Sequence, residues 1–251
     1  MSLCKACDGP LTLGVGDDED ESPTETVPDD LELGCGCHFH WECLMEEASA
    51  VALSLKCPGC ETFLPANEAG PSSTNPFLPT PSATPILARY SNEGGTQERL
   101  DILPSLTEEA YVQNNPEARP ARALHVMCAE GDVAGIVELL RDVEGEVSDL
   151  ASLVRYQDPL AGLKSGLHVA VDSGQEEAVW LLLWLSSTLP TGSFPQPARD
   201  LAESVGLGRL PVQAESDVRI LRDSRGQTAE DVARQKARQW AAVLASGVLA
   251  A

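Results

Sequence analysis

The sequence has 251 residues, a formal net charge of −22 and a hydrophobic content of 43%. This length is sufficient for one large domain or for two smaller ones. Because the chain is so acidic, we do not expect it to bind nucleic acid or an anionic membrane by bulk electrostatic attraction, and its partners are expected to be proteins.

Cysteines are concentrated near the N-terminus, where seven of the eight precede residue 61. The opening residues MSLCKACDGP lack the basic and apolar segments of a secretory signal. The longest apolar run, AVWLLLWL at 178–185, is much shorter than the roughly 20 residues that span a bilayer. We therefore expect an intracellular protein, cytoplasmic or nuclear, whose thiols are reduced. In that environment clustered cysteines indicate metal binding rather than disulfides.

The cysteine-rich region has a spacing typical of zinc sites. Two CxxC pairs, CKAC at 4–7 and CPGC at 57–60, flank the stretch CGCHFHWEC at 35–43. A CxxC turn directs two thiolates toward one metal ion at about 2.3 Å. Neither pair lies in the strand–helix setting of a thioredoxin-like redox motif, so zinc is favoured. The central stretch contains five candidate ligands, namely Cys35, Cys37, His38, His40 and Cys43.

This arrangement resembles a RING finger, a small α+β module in which eight ligands bind two zinc ions in a cross-braced manner. The resemblance rests on the stretch CGCHFHWECL at 35–44 and on the final Cys-Pro-Gly-Cys. It implies a module over residues 1–64 that binds two Zn²⁺. One ion would be bound by Cys4, Cys7, His40 and Cys43. The other ion would be bound by Cys35, Cys37, Cys57 and Cys60.

His38 is left over by this assignment. It is separated from His40 by a single residue, whereas ligands for different ions usually have a gap of two or three residues at this point in the family. We therefore expect His38 not to bind metal, with replacement of Cys37 by His38 as the alternative. Phe39 is expected to pack between the two sites. A module of this size with few large apolar residues is expected to need the metal in order to fold.

A RING finger implies a partner that is a ubiquitin-conjugating enzyme charged with ubiquitin. The positions that match the usual contact surface are Ala6 in the first CxxC pair and Pro58 in the last. No Trp follows Cys43 in the run LMEEASAVALSLK, and Glu61 stands where the family often has Arg. Two interpretations therefore stay open. One is a ubiquitin ligase, a transferase, and the other is a non-catalytic zinc-binding adaptor for protein–protein interactions.

Residues 65–118 are predicted to form a flexible, disordered Pro-rich linker. Nine of the chain's 18 prolines lie between Pro65 and Pro120, among Ser, Thr, Asn and Gly residues. Such a segment buries too little apolar surface to offset its loss of chain entropy. Near its end, SLTEEAYV has the Ser-x-x-Glu pattern of a helix start and predicts a short helix from Ser105.

Residues 119–251 are predicted to be all-α, with internal repeats. The segments 121–143 and 166–185 share one plan, in which Gly131 or Gly174 separates two apolar runs. A third, partial copy begins at Asp223. Repeats on this scale indicate stacked helix pairs. The copies resemble ankyrin repeats, which implies a stack of about three repeats that binds a partner protein.

Several residues of the repeats have specific predicted roles. The ankyrin resemblance implies that His125 and His168 donate hydrogen bonds to backbone between neighbouring loops. Trp180 and Trp184 lie four residues apart on one helical face and are predicted core contacts, with a recognition surface as the alternative. The insert TGSFPQPARDLAESVGLGRL at 191–210 is a candidate extension of the concave face. No pattern along the chain indicates a catalytic side chain.

Overall fold

The computed structural model describes residues 2–15, 25–65, 85–143, 150–206 and 208–251. The chain divides into two compact units, Met1–Pro116 and Glu117–Ala251. Each unit has its own cluster of buried hydrophobic side chains. Within the described ranges, no helix combines the length and the apolar character needed to cross a bilayer.

The N-terminal unit combines short antiparallel strands with helices. Strand β1 (Thr12–Val15) pairs with β2 (Glu25–Pro28). A second sheet has the strand order β4-β3-β5-β6. Its strands are β3 (Asp30–Leu33), β4 (His38–Phe39), β5 (Leu87–Asn92) and β6 (Gly95–Asp101). The helices described in this unit are α1 (Trp41–Glu46), α2 (Ala48–Ser54) and α3 (Leu103–Asn114).

The β5–β6 hairpin and α3 lie inside the segment predicted to be a linker. Strand β5 pairs with β3 in a register that places Leu31 opposite Tyr90, and α3 packs on α1 and α2. The predicted flexible linker over 65–118 therefore does not extend over residues 85–116, which belong to the N-terminal unit. Residues 66–84 of the predicted linker lie outside the described residues.

Residues 85–116 fold because they bury apolar side chains, a pattern that the Pro-rich composition of the surrounding segment obscured. Alternate residues before and within β5 are buried in the core. One face of α3 is also buried there. The buried members of this segment are Ile86, Ala88, Ile102, Leu106 and Ala110. They join the cluster that contains Leu31 and Phe39. The helix predicted from Ser105 is present and begins two residues earlier, at Leu103.

In the described part of the C-terminal unit, the regular secondary structure is helical apart from one short hairpin, β7 (Gln157–Asp158) and β8 (Lys164–Ser165). Six of its helices form three successive pairs, one for each copy of the sequence repeat. Helix α7 packs on both α4 and α10, so the first helices of the pairs lie side by side. The paired helices are α4 (Ala118–Glu130), α5 (Val133–Val143), α7 (Gly166–Ser173), α8 (Glu176–Ser186), α10 (Ala229–Gln235) and α11 (Ala237–Ser246). Helices α6 (Leu150–Val154) and α9 (Gln196–Val205) lie in the connections.

Two of the pairs turn at the predicted glycines. Gly131 and Gly174 have φ angles of 76° and 81°, in the left-handed region that side chains disfavour. The third pair turns at Lys236 with φ −111° instead. Its first helix is capped at the N-terminus by Thr228, whose backbone N–H and hydroxyl both donate to the Asp231 carboxylate. The sequence copies thus correspond to helix pairs whose ends are set by local capping chemistry.

The two repeat histidines differ in their hydrogen bonds. His168 Nδ1 lies 2.8 Å from the Ser165 hydroxyl oxygen, and its Nε2 lies 3.0 Å from the Gln227 carbonyl oxygen, as predicted. His125 is 6% exposed, and its ring nitrogens make no well-formed hydrogen bond among the described residues, but the Tyr156 backbone approaches the imidazole and acts to raise its pKa. The prediction for His125 is therefore met only by this weaker approach to the Tyr156 backbone. The first copy has Arg122 where the second has Ser165, so no hydroxyl is available to its imidazole.

Acid is expected to destabilise the helical unit through these two residues. Burial lowers the pKa of His125 and of His168 below the ordinary value of 6.5. The unfolded chain therefore binds more protons than the folded chain as the pH falls through 6.5, and the free energy of unfolding decreases. Hydrogen exchange of the full chain, corrected for intrinsic rates, should show weaker protection of α4 and α7 at pH 5.5 than at pH 7.5. Replacing both histidines with Gln should flatten this dependence, and an unchanged dependence would assign it to other groups.

Candidate metal centres

The eight predicted ligands come together in two groups of four. Within each group the sulfur and nitrogen atoms that could bind a metal all lie within 4.8 Å of one another. The first group, called cluster A, consists of Cys4, Cys7, His40 and Cys43. The second group, called cluster B, consists of Cys35, Cys37, Cys57 and Cys60. This grouping is the interleaved one that the RING resemblance implies.

The two CxxC pairs form turns of the same geometry. The Asp8 N–H donates to the Cys4 carbonyl at 2.9 Å, and the Glu61 N–H donates to the Cys57 carbonyl at 2.8 Å. Asp8 and Glu61, which follow the second cysteine of each pair, both have a φ of 58°. An isolated antiparallel bridge closes each turn, joining Leu3 to Pro10 and Lys56 to Phe63. In each CxxC pair, this geometry directs both thiols toward the same position, where a metal ion could bind.

His40 is oriented for binding through Nδ1. This atom lies 3.3 Å from Cys7 Sγ and 3.6 Å from Cys43 Sγ. A tetrahedral zinc ion with ordinary bond lengths holds nitrogen and sulfur ligands about 3.6 Å apart. The other ring nitrogen, Nε2, lies 2.8 Å from the Pro10 carbonyl oxygen. Because a carbonyl can only accept, Nε2 carries the hydrogen and Nδ1 keeps its lone pair for a metal.

Burial and hydrogen bonds set the thiol pKa values in cluster A. Burial acts to raise the pKa of Cys4, but backbone hydrogen bonds from Cys7, His40 and Ala6 outweigh it and lower the pKa to about 6. For Cys43, burial raises the pKa to about 12. The cluster therefore contains one thiol that ionises readily and one that keeps its proton until a cation displaces it. Metal binding releases that proton, so acid weakens binding.

Cluster B shows the same contrast. The Thr62 side chain and backbone lower the pKa of Cys60 to about 6, and the Cys60 sulfur lies 3.2 Å from the Thr62 hydroxyl. Burial raises the pKa of Cys37 and of Cys57. Cys60 is therefore the thiol of cluster B that loses its proton most readily, and the buried thiols would have to lose theirs in order to bind a metal.

The donor chemistry of both clusters fits zinc. Cluster A offers three sulfur atoms and one nitrogen, and cluster B offers four sulfur atoms. Both sets are typical of four-coordinate structural zinc sites, which leave no position for water or substrate. Each cluster could therefore hold one metal ion, and the donor sets suit a structural role rather than Lewis-acid catalysis.

His38 lies outside both clusters. Its Nδ1 is 2.7 Å from Asp30 Oδ1, across the paired strands β3 and β4. This carboxylate partner agrees with the expectation that His38 does not bind metal. The neighbouring Phe39 is 1% exposed and belongs to the hydrophobic core of the N-terminal unit.

The first and last CxxC turns lie side by side. A Cβ atom built on Gly59 would lie 3.2 Å from Lys5 Cβ and 3.3 Å from Phe39 Cζ, so the absence of a side chain at residue 59 allows this close approach. Ala6 and Pro58 are each adjacent in sequence to this contact, and both are exposed. The two residues predicted to contact a conjugating enzyme are therefore on neighbouring exposed turns.

The sequence analysis missed a buried carboxylate next to cluster A. Asp29 is 3% exposed and accepts hydrogen bonds from the Trp41 N–H, at 3.2 Å, and from the Tyr90 hydroxyl, at 3.0 Å. Trp41 directly follows the candidate ligand His40 and begins α1, whereas Tyr90 belongs to β5. Asp29 thus connects the backbone beside cluster A to the hairpin. The alternation of Ile86, Ala88 and Tyr90 is the signal that could have indicated a strand here.

Comparison of the chain with protein-family models, with curated proteins and with solved structures gave no match. The metal centres are therefore supported by the geometry and donor chemistry of the chain itself.

Proposed function

We propose that the protein is a zinc-dependent RING-type ubiquitin ligase. In this proposal the N-terminal unit recruits a ubiquitin-conjugating enzyme, and the helical unit, an ankyrin-type stack, binds the substrate protein. The observation that carries the proposal is the interleaving of clusters A and B along the chain. The first and third ligand pairs in sequence, Cys4/Cys7 and His40/Cys43, meet in cluster A, and the second and fourth pairs, Cys35/Cys37 and Cys57/Cys60, meet in cluster B. Two metal ions bound in this way would fix both CxxC turns relative to the central strand and helix.

The proposed recruitment uses the exposed neighbouring turns that carry Ala6 and Pro58. Proline presents a rigid apolar surface, and the small side chain of Ala6 leaves room for an apolar residue of the enzyme. The module itself supplies no nucleophile in this role. It positions the enzyme's thioester so that a lysine of the substrate can attack it, which is catalysis by proximity and orientation.

A second candidate function, a non-catalytic zinc-dependent adaptor, is favoured by Glu61. This residue follows the last ligand, is exposed, and has the left-handed backbone of the turn. A carboxylate at this position offers the opposite charge to the Arg through which RING ligases contact ubiquitin. In the adaptor function both units would bind proteins, and no ubiquitin would be transferred.

Ubiquitin discharge is the test that separates the two functions. Zinc-loaded full-length protein is mixed with a panel of ubiquitin-charged conjugating enzymes and free lysine. We expect faster discharge with at least one enzyme and a reduction of about tenfold for Pro58→Ala, because truncating a central contact costs on the order of 1–2 kcal/mol. Glu61→Arg should increase the rate.

The matched control is Glu138→Arg, which makes the same charge change at an exposed position on α5. This variant should discharge ubiquitin like the wild type. If no enzyme of the panel responds to the zinc-loaded protein, the ligase proposal is rejected and the adaptor function is retained.

A further inference from the structure

The insert between the second and third helix pairs forms a groove with α8. The groove has a volume of about 560 Å³. Its walls come from the first turns of α8, and from Pro195 with the first turn of α9. The residues that line it are Glu176, Glu177, Trp180, Pro195, Pro197 and Ala198. An indole, two prolines and two carboxylates therefore face the same space.

The indole of Trp180 is held in place. Its Nε1 donates to Glu176 Oε1 at 3.2 Å, and its ring packs edge-on against Phe194, with the ring centroids 6.1 Å apart. Phe194 is 2% exposed and also packs edge-on against Trp184, at 5.2 Å. A fixed aromatic ring loses little conformational entropy when a ligand binds to it.

Arg209 packs against two of the same aromatic rings, those of Trp184 and Phe194. Its guanidinium lies 5.6 Å from the Trp184 ring and 5.6 Å from the Phe194 ring. The guanidinium also donates to the backbone carbonyls of Trp184, Leu189 and Ser187. Arg209 is therefore occupied by structural contacts, and it does not line the groove.

The charge of the groove is negative. Glu176 and Glu177 are both exposed in the first turn of α8. Among the residues that the structure describes, none that lines the groove is Lys or Arg. Arg199, which follows Ala198 in the first turn of α9, donates to Gln196 Oε1 at 2.8 Å. A cation in this groove would face carboxylate oxygens and an aromatic ring at once.

We propose that this groove binds an arginine side chain in a flexible basic segment of another protein. The planar guanidinium would stack on Trp180, where a cation is attracted by the aromatic ring, and would pair with Glu177. The prolines form an apolar wall with fixed φ angles along which the rest of the segment lies. Since the chain has 39 acidic residues and only 17 Lys and Arg, a basic partner is also the one that its overall charge attracts.

The groove rests on the proposed function, because it gives a location and a chemistry to the partner binding proposed for the helical unit. It lies on α8 and α9, away from the first helices of the pairs. Binding is measured without ubiquitin transfer, so the two proposals can fail separately. A loss of discharge activity leaves the groove untouched, and a groove that does not bind leaves the discharge result unchanged.

The test uses fluorescence anisotropy with the full-length zinc-loaded protein and a labelled peptide, (Ser-Arg-Gly)₃. The comparison peptide carries citrulline in place of each Arg, which keeps the shape and removes the charge. We expect binding of the Arg peptide and a loss of about tenfold for citrulline, Trp180→Ala and Glu177→Gln. Trp180→Phe should lose less, because it retains an aromatic face.

The matched control is Glu138→Gln, which removes one exposed carboxylate from α5, outside the groove. It should bind the Arg peptide like the wild type. Because Glu177 is exposed, Glu177→Gln should fold normally even if Trp180→Ala does not. Absence of binding up to millimolar peptide overturns the inference, as does equal binding of the citrulline peptide. A loss with Glu138→Gln that matches the loss with Glu177→Gln also overturns it, since bulk charge would then explain the binding.

Discussion

Replacing His40 with Ala is expected to lower the zinc content from two ions per chain to one, whereas His38→Ala leaves it at two. The two histidines flank Phe39, yet their surroundings differ. His40 Nδ1 lies 3.3 Å from Cys7 Sγ, while His38 Nδ1 lies 2.7 Å from an Asp30 carboxylate oxygen. His38→Ala removes one hydrogen bond between two partly buried side chains, which contributes about 0.5–1.5 kcal/mol to stability. The pair of variants therefore compares a cluster member with its nearest counterpart outside the clusters.

The energetic effect of losing cluster A is large because metal binding and folding are coupled. A structural zinc site in a small module contributes about 10–16 kcal/mol of apparent binding free energy at neutral pH. The hydrophobic core of the N-terminal unit cannot replace a term of this size. We therefore expect His40→Ala to unfold residues around cluster A, and removal of zinc from the wild type by a chelator to unfold residues around both clusters.

Two measurements on the full chain test this expectation. Native mass spectrometry gives the number of zinc ions per chain for the wild type and both variants. Hydrogen exchange should show loss of protection in β3, α1 and α2 after chelation, with α4, α7 and α8 unchanged, because the helical unit has a separate core. If His38→Ala loses an ion and His40→Ala retains both, the assignment of ligands is wrong.

The ligand clusters could be predicted from sequence because metal chemistry restricts both residue type and spacing. Two CxxC pairs and a central Cys/His stretch allow few pairings, and the family resemblance supplied one of them. The structure groups the same eight residues in that way. The helix pairs could also be predicted, because the apolar period and the glycines of their turns are local signals.

The hairpin and the helix after residue 85 could not be separated from the Pro-rich segment by composition. Prolines are concentrated between Pro65 and Pro85, and averaging over the whole segment concealed the alternation that begins at Ile86. The partner of β5 is β3, which is distant in sequence, so no local signal reveals the pairing. Asp29 was missed for the same reason, since its burial depends on Tyr90.

Replacing Leu106 with Asp is expected to unfold the zinc module, even though this residue lies well beyond the last ligand. Leu106 is on α3, is 0% exposed, and belongs to the same core as Leu31 and Phe39. Truncating a buried Leu costs about 2–5 kcal/mol, and a carboxylate in its place adds the cost of an unpaired buried charge. This sum approaches the whole stability of a typical small domain.

The matched control is Leu53→Asp, since Leu53 is on α2 of the same unit but is 64% exposed. It should behave like the wild type. A milder variant, Tyr90→Phe, removes one of the hydrogen bonds to buried Asp29 and should cost about 1.5–3 kcal/mol, the range for a bond to a charged group. We therefore expect the free energy of unfolding to decrease in the order Leu53→Asp, Tyr90→Phe, Leu106→Asp.

The rate of zinc release to a chelator reports that order. We expect Leu106→Asp to release zinc fastest, Tyr90→Phe at an intermediate rate, and Leu53→Asp at the wild-type rate. The reasoning is that zinc leaves mainly when the module opens, and each variant changes the free energy of that opening by a different amount. Release from Leu106→Asp at the wild-type rate would show that the hairpin and α3 do not stabilise the metal centres, and that the module ends near its last ligand.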